Sequence, residues 1–493
     1  MNIDGKRSGV LLILVLAAAL GLRLFHLGQR VVWFDEANSL LVARATPAEI
    51  VDAARDDVHS ALYNLVLHFW QSVFAGETAA RMLSVLAAVA TVATVYFLGT
   101  RLGGPVAGLL SAGLLGLAPL HVWYSQEVRM YSVQTLLISL SFLFLLKGTR
   151  EGWGNTWRAY IVCTTLAIYL QYTSIFAVLA QNVFVIICRR KDPRTVRCWL
   201  LSQCVVALLF APCLPLLLWQ TTTVTGRSWI QPLELPQVLK FISLFSGSCL
   251  RDSGARILSV LVTMLALVTA VAVLWRKREN RETLCLLALW FILPISVLLV
   301  LSLRQNLFLP RTLVYTTPAL ALLVGCTLAV AEKGVGRLMS VVMGVTLASA
   351  NISALDHYHF SANAWVKSDL RQGADEVGRD YRAGDVIVHS TQFSYRPFQY
   401  YLAQEAVQGV VGQPEKLTHL FAVIGDGHVP ENGMAIQRIW LVLYSDFKNQ
   451  GSDEAVHNWM DQHHRLLQVL HNSPTLFIAL YERQGPDLTP AIK

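Results

Sequence analysis

Residues 10–37 read VLLILVLAAALGLRLFHLGQRVVWFDEA. The run from Val10 to Leu27 is close to the ~20 mostly apolar residues that a membrane-spanning helix needs. Lys6 and Arg7 stand before it, the layout of a signal sequence, and Ala17-Ala18-Ala19 offers small residues for cleavage. The apolar character continues through Phe25 and Leu27, which favours an uncleaved anchor. Two adjacent carboxylates, Asp35 and Glu36, follow within Trp33-Phe34-Asp35-Glu36-Ala37. Acid so close to a span is costly to place and usually serves a purpose.

The rest of the chain fits a polytopic α-helical membrane protein. Of 493 residues, 54% are hydrophobic and 15% charged, where a soluble domain carries about 25% charged. The charge is split: residues 1–355 hold 29 Lys/Arg against 16 Asp/Glu, and residues 356–493 hold 11 against 16. The basic residues come in short groups between apolar runs, so they suit loops facing anionic lipid and give no nucleic-acid surface. The eight cysteines fall between Cys163 and Cys326 with no zinc-like spacing, and read as thiols buried among the spans.

About eleven apolar segments stand out, centred near residues 18, 88, 112, 139, 168, 181, 208, 265, 292, 321 and 346. With the N-terminus inside, the inner connections hold Arg101; Lys147, Arg150 and Arg158; Arg189, Arg190, Lys191, Arg194 and Arg197; Arg276, Lys277, Arg278 and Arg281; and Lys333 and Arg337. Each is basic, as the positive-inside rule requires. The chain is therefore expected in the cell membrane with a cytoplasmic N-terminus. The outer connections are then 28–78, 120–130, 171–174, 220–254, 304–311 and everything after about 356. Within 28–78, Asn38–Ala54 and Leu62–Phe74 have helical apolar spacing and read as surface helices. Residues 220–254, with Trp229 and Phe245, have the same character.

The expected membrane domain is 1–355. Residues 356–493 read as a small α/β domain on the outer face. Its expected strands are Asp385–His389, Arg438–Tyr444 and Thr475–Tyr481, and its expected helices Lys367–Arg382 and Asp453–Leu467. Gly425-Asp426-Gly427 reads as a loop, since no phosphate-binding fingerprint surrounds it.

Four polar clusters share the expected outer face. They are Asp35-Glu36; Asp56-Asp57-Val58-His59, leading into Tyr63; the stretch from His121 through Tyr124, Gln126, Glu127 and Arg129 to Tyr131; and Arg304 with Pro310-Arg311. A carboxylate beside a hydroxyl acceptor can serve as general base. Arginines clamp phosphate oxygens. Such a set suits transfer of a group from a lipid phosphate, which leaves with cationic stabilisation and needs no strong acid. Taken singly, each cluster also fits a helix-terminal acid, a solvated turn or an aromatic belt.

At these residues the chain resembles the glycosyltransferase family 39 type of the GT-C superfamily, which includes protein O-mannosyltransferases and aminoarabinose transferases. The resemblance rests on Trp33–Ala37, on Asp57-Val58-His59 with Leu62–Trp70, on Tyr124-Ser125-Gln126-Glu127-Val128-Arg129-Met130-Tyr131, and on Phe308–Thr312 before Pro318-Ala319-Leu320. It covers the membrane part and reaches weakly to Tyr400-Tyr401. It implies an inverting transferase that takes a sugar from a polyprenyl-phosphate donor to a lipid, glycan or protein acceptor. Asp35 would be the base, with Glu36 and Glu127 as further catalytic acids. Arg129 and Arg311 would meet the donor phosphate, and His59, Tyr63, Gln126, Tyr131 and Asp57 would bind substrate. No cofactor is required by the resemblance, although the carboxylates would also suit a divalent cation such as Mg, Mn or Ca. Two other readings stay open: a transporter or flippase for a lipid-linked or polar substrate, and a non-catalytic assembly protein with an outer binding domain.

Overall fold

The computed structural model describes residues 5–151, 153–224, 233–246, 253–360, 370–382, 384–402, 407–410, 438–444, 450–473 and 475–483. Trp229 and Gly425–Gly427, singled out above, lie outside these residues. The chain divides into two compact units, one of residues 1–28 and 45–364, the other of residues 29–44 and 365–493.

In chain order the helices up to residue 360 are α1 (Gly5–Leu24), α2 (Phe34–Val42), α3 (Pro47–Ala53), α4 (Leu62–Val73), α5 (Glu77–Gly116), α6 (Pro119–Ser125), α7 (Tyr131–Glu151), α8 (Asn155–Leu170), α9 (Ser174–Cys188), α10 (Pro193–Phe210), α11 (Leu214–Trp219), α12 (Leu235–Leu244), α13 (Ser253–Leu274), α14 (Arg281–Ser302), α15 (Thr317–Val330) and α16 (Val335–Phe360). All but α2 belong to the first unit.

Among the described residues, eight helices are long and apolar enough to cross a membrane, against the eleven expected. The apolar segments near 88 and 112 run together as α5, which turns at Gly104 (φ 86°) beside Pro105. Only a residue without Cβ takes that φ readily, and proline then restarts the helix. The segments near 168 and 181 do split at 171–173 as read, but α8 and α9 have only 16 and 15 residues. The second half of α5 lies close against α15. A Cβ on Gly325 would stand 2.7 Å from the backbone nitrogen of Ser111, so this contact needs glycine.

The first outer connection also differs from its reading. The helix expected over Asn38–Ala54 is two helices in two units, because Thr46 and Pro47 start a new one. The Thr46 hydroxyl accepts from Glu49 N, while the Glu49 carboxylate accepts from Thr46 N at 2.8 Å. This reciprocal cap holds the Glu49 carboxyl below its ordinary pKa, mainly through the Thr46 amide bond.

The second unit is a layered α/β domain. After α17 (Leu370–Asp380) come β1 (Val386–His389), α18 (Gln392–Tyr401), β2 (Val407–Val410), β3 (Arg438–Tyr444), α19 (Gln450–His463), β4 (His464–Asn472) and β5 (Leu476–Arg483). The sheet order is β2-β1-β3-β5-β4. β1 runs parallel to β2 and β3, and the β3–β5 and β5–β4 pairs are antiparallel. Alternate residues feed two cores. Val388, Ile439, Leu441 and Tyr481 meet Val456 and Met460 of α19 on one face. Ile387, Trp440, Val442 and Ile478 meet Leu370 and Val377 of α17 and Phe398 of α18 on the other.

The helix expected over Asp453–Leu467 ends at His463, because the following residues pair with β5. The sequence also left β2 and α18 unread. Residues 29–44 join this unit: α2 packs on α18, Phe34 meets Phe393 with ring centroids 5.1 Å apart, and Val32 N donates to the Tyr401 hydroxyl at 2.8 Å.

Candidate active site

In the membrane unit the site begins on the turn between α6 and α7. Pro119 starts α6, a seven-residue helix that ends at Ser125. The turn then carries Gln126, Glu127 and Arg129 to Tyr131, the first residue of α7. All four are buried. The Ser84 hydroxyl on α5 donates to the carbonyls of Glu127 (2.6 Å) and Arg129 (3.3 Å), which fixes the turn. Trp123 Nε1 donates to Glu127 Oε1 at 3.0 Å. Arg129 lies over the Tyr131 ring at 5.9 Å, and Tyr131 meets Tyr124 edge-on at 5.2 Å. A buried carboxylate and guanidinium thus share one aromatic cluster, where low polarity strengthens charge interactions.

Gln126, expected at the substrate, bonds three segments of this unit. Its Nε2 donates to the carbonyls of Arg23 (2.8 Å) and Phe25 (2.9 Å) at the end of α1, and its Oε1 accepts from the Tyr358 hydroxyl (2.9 Å). Beside it, Arg23 donates to His121 Nδ1 at 2.8 Å and to the carbonyls of Ala19 and Gly116. Burial, with the Arg23 charge adding to it, holds the His121 pKa well below its ordinary value, so the ring is neutral and accepts at Nδ1. The side chains of Arg23, His121, Gln126 and Tyr358 therefore lock the turn to α1 and α16.

A second hub is the break at 171–173. His59 Nδ1 donates to Gln171 Oε1 at 3.0 Å, and the Ser60 hydroxyl donates to the Tyr169 carbonyl. The Thr173 hydroxyl donates to the Thr312 carbonyl (3.0 Å), and the Tyr315 hydroxyl to the Thr173 carbonyl (2.9 Å). Both partners lie on the 3₁₀ segment Pro310–Thr316 that carries the half-buried Arg311. Gln134 of α7 donates to the Ser174 hydroxyl at 3.0 Å. This short break thus ties the loop of His59, the segment of Arg311 and the start of α7 into one network. Gln220 closes it, donating to the Ala54 and His59 carbonyls and accepting from the Tyr172 hydroxyl. Burial first, then the Cys213 thiol and the charge of Asp57, raise the Tyr172 phenol above its ordinary pKa.

Of the other expected residues in this unit, Tyr63 is buried at the start of α4. Asp57 is half-buried, and its carboxylate accepts from Val58 N at 2.6 Å. Arg304 is exposed. The sequence reading missed Arg23, Ser84 and Gln220, whose partners are distant in the chain.

In the second unit Asp35 and Glu36 form the first turn of α2, with Trp33 as the extended residue before the helix. Both are buried. Ser39, one turn on, donates to the Asp35 carbonyl at 3.1 Å. Among the described residues no group of three or more His, Cys, Asp or Glu side chains is placed to hold a metal ion.

The model of the dolichyl-phosphate-mannose-protein mannosyltransferase family matches residues 58–219. No curated protein matches the chain by sequence. Among solved structures it is similar to ArnT from Cupriavidus metallidurans in the apo state, with a TM-score of 0.60 and 14% identity over 96% of this chain and 97% of that one. The same protein bound to undecaprenyl phosphate gives 0.58 and 14%, covering 95% and 97%. The archaeal oligosaccharyltransferase AglB from Archaeoglobus fulgidus, in complex with an inhibitory peptide and a dolichol-phosphate, gives 0.55 and 9%, covering 96% and 74%. The family model covers about a third of the chain, and the chain shares its fold with these solved structures.

Proposed function

We propose that this protein moves a sugar from a polyprenyl-phosphate donor to a hydroxyl of a lipid, glycan or protein acceptor, with inversion, on the outer face of the cell membrane. The observation that carries the reading is the buried Glu127–Arg129–Tyr131 turn, networked to the segment of Arg311. A buried guanidinium suits a lipid phosphate, and two of the similar structures hold polyprenyl phosphates. The basic connections named above favour the outer face and a cytoplasmic N-terminus.

In this mechanism Asp35, in the first turn of α2, takes the proton of the acceptor hydroxyl. The oxygen attacks the anomeric carbon from the face opposite the phosphate. The carbon–oxygen bond to phosphate breaks, and its electron pair leaves on the lipid phosphate, stabilised by Arg129 and Arg311. Glu127 orients Arg129, Glu36 supports Asp35, and His59, Tyr63 and Tyr131 line the sugar.

The test is transfer of radiolabelled sugar from polyprenyl-phosphate donors to an envelope extract by purified protein. Asp35→Asn is expected to lower kcat by roughly 10²–10⁴, the usual contribution of a general base. Transfer at the wild-type rate by that variant removes Asp35 from the mechanism. An absence of transfer across a broad donor panel, with lipid-linked sugar crossing vesicles instead, would turn the reading to transport.

A further inference from the structure

Four helix ends of the membrane unit converge on a cavity far from the candidate site. It has a volume of about 150 Å³ and is lined by Arg101, Arg189, Glu279 and Glu282, with Leu146 and Phe184 on its apolar wall. Its depth follows from the helices. α7 runs from Tyr131 at the candidate site to Thr149 at the cavity, 18 residues on, or about 27 Å at 1.5 Å per residue. α9 runs from Ser174, beside the same site, to its C-terminal cap at Arg189 on the cavity. That separation is close to the ~30 Å hydrocarbon thickness of a bilayer, which puts the cavity at headgroup level of the other leaflet.

The lining has two cations and two anions, so its formal charge is zero. Arg189 caps the C-terminus of α9, and Glu282 lies in the first turn of α14; each charge suits its helix end, and the two form an ion pair. Arg101 and Glu279 are exposed at the rim. An anionic headgroup would face two carboxylates, and a simple cation would face two guanidinium groups. A ligand with both charges complements Arg101 and Glu279 at the rim and can add to the Arg189–Glu282 pair. The apolar wall beside them suits the start of an acyl chain.

We propose that this cavity binds the headgroup of a zwitterionic phospholipid of the ethanolamine type, its phosphate against Arg101 and Arg189 and its ammonium against Glu279 and Glu282. Arginine offers planar paired donors to phosphate oxygens. A primary ammonium offers three N–H donors to the glutamates, whereas a trimethylated headgroup offers none. The site is independent of the transfer chemistry, and its failure would leave that reading untouched.

The experiment is native mass spectrometry of the full-length protein, delipidated in detergent and offered equal amounts of ethanolamine, glycerol and choline phospholipids. Preferential retention of the ethanolamine lipid is expected. Glu282→Gln should reduce that retention by about tenfold, the scale of one charge-assisted hydrogen bond. Arg101→Gln and Glu279→Gln, which leave the Arg189–Glu282 pair intact and guard against misfolding, should reduce it several-fold. Equal retention of the three lipids, greater retention of the anionic one, or undiminished retention in both rim variants would overturn the proposal. So would equal competition by soluble glycerophosphoethanolamine, which would reassign the site to a free ligand.

Discussion

Gln126 holds together three segments that are far apart in the chain. Its amide joins two carbonyls at the end of α1 to the hydroxyl of Tyr358 on α16. Removing one partner of a buried hydrogen bond leaves the other unsatisfied, at about 1–3 kcal/mol each. Gln126→Ala takes the Nε2 donor from two carbonyls of the α1 end, and Tyr358→Phe takes one donor from Gln126 Oε1. Thermal unfolding in detergent should therefore fall further for Gln126→Ala, and the double variant should be little worse than Gln126→Ala alone. The motif was visible in sequence as Gln126-Glu127-Val128-Arg129. This role was not, because the partners lie 103 and 232 residues away.

At the level of elements, the periodicity and breakers of the sequence placed most boundaries well. β3 spans Arg438–Tyr444 as read, and the break between α8 and α9 falls where Gln171–Ser174 interrupts the apolar pattern. The failure at His464 has a physical source. Residues 464–472 are mostly exposed, with no clean alternation of burial, and β4 exists because β5 offers it a partner across two irregularities in register. Propensity has no access to that pairing. The close contact of α5 and α15 was equally invisible, since one glycine among many gives no signal. It is testable. Gly325→Ala must push Ser111 aside and should cost about 1–3 kcal/mol, as overpacking does. Gly113→Ala, with open space at its Cβ, should be neutral or slightly stabilising through helix propensity. Equal melting temperatures for the two variants would show that the helices are not in this contact.

On the scale of the whole molecule, the composition separated a basic apolar part from an acidic α/β part, yet residues 29–44 belong with the second by contact. Their pattern resembles a surface helix, and only the fit of α2 on α18 shows the grouping. Stability of this second unit should depend on pH through His464, the buried first residue of β4. Burial, then the charges of His463 and Arg483, push its pKa down to about 4. The unfolded chain has the ordinary value of about 6.5. Between those values the unfolded state holds the extra proton, so stability is complete above about pH 6.5 and falls as the pH drops towards about 4. Hydrogen exchange of the full-length protein should show β4 and β5 losing protection from pH 7.5 to pH 5. His464→Gln, which cannot titrate, should reduce that pH dependence. A variant that loses protection as steeply as the wild type would place the acid sensitivity elsewhere in the unit.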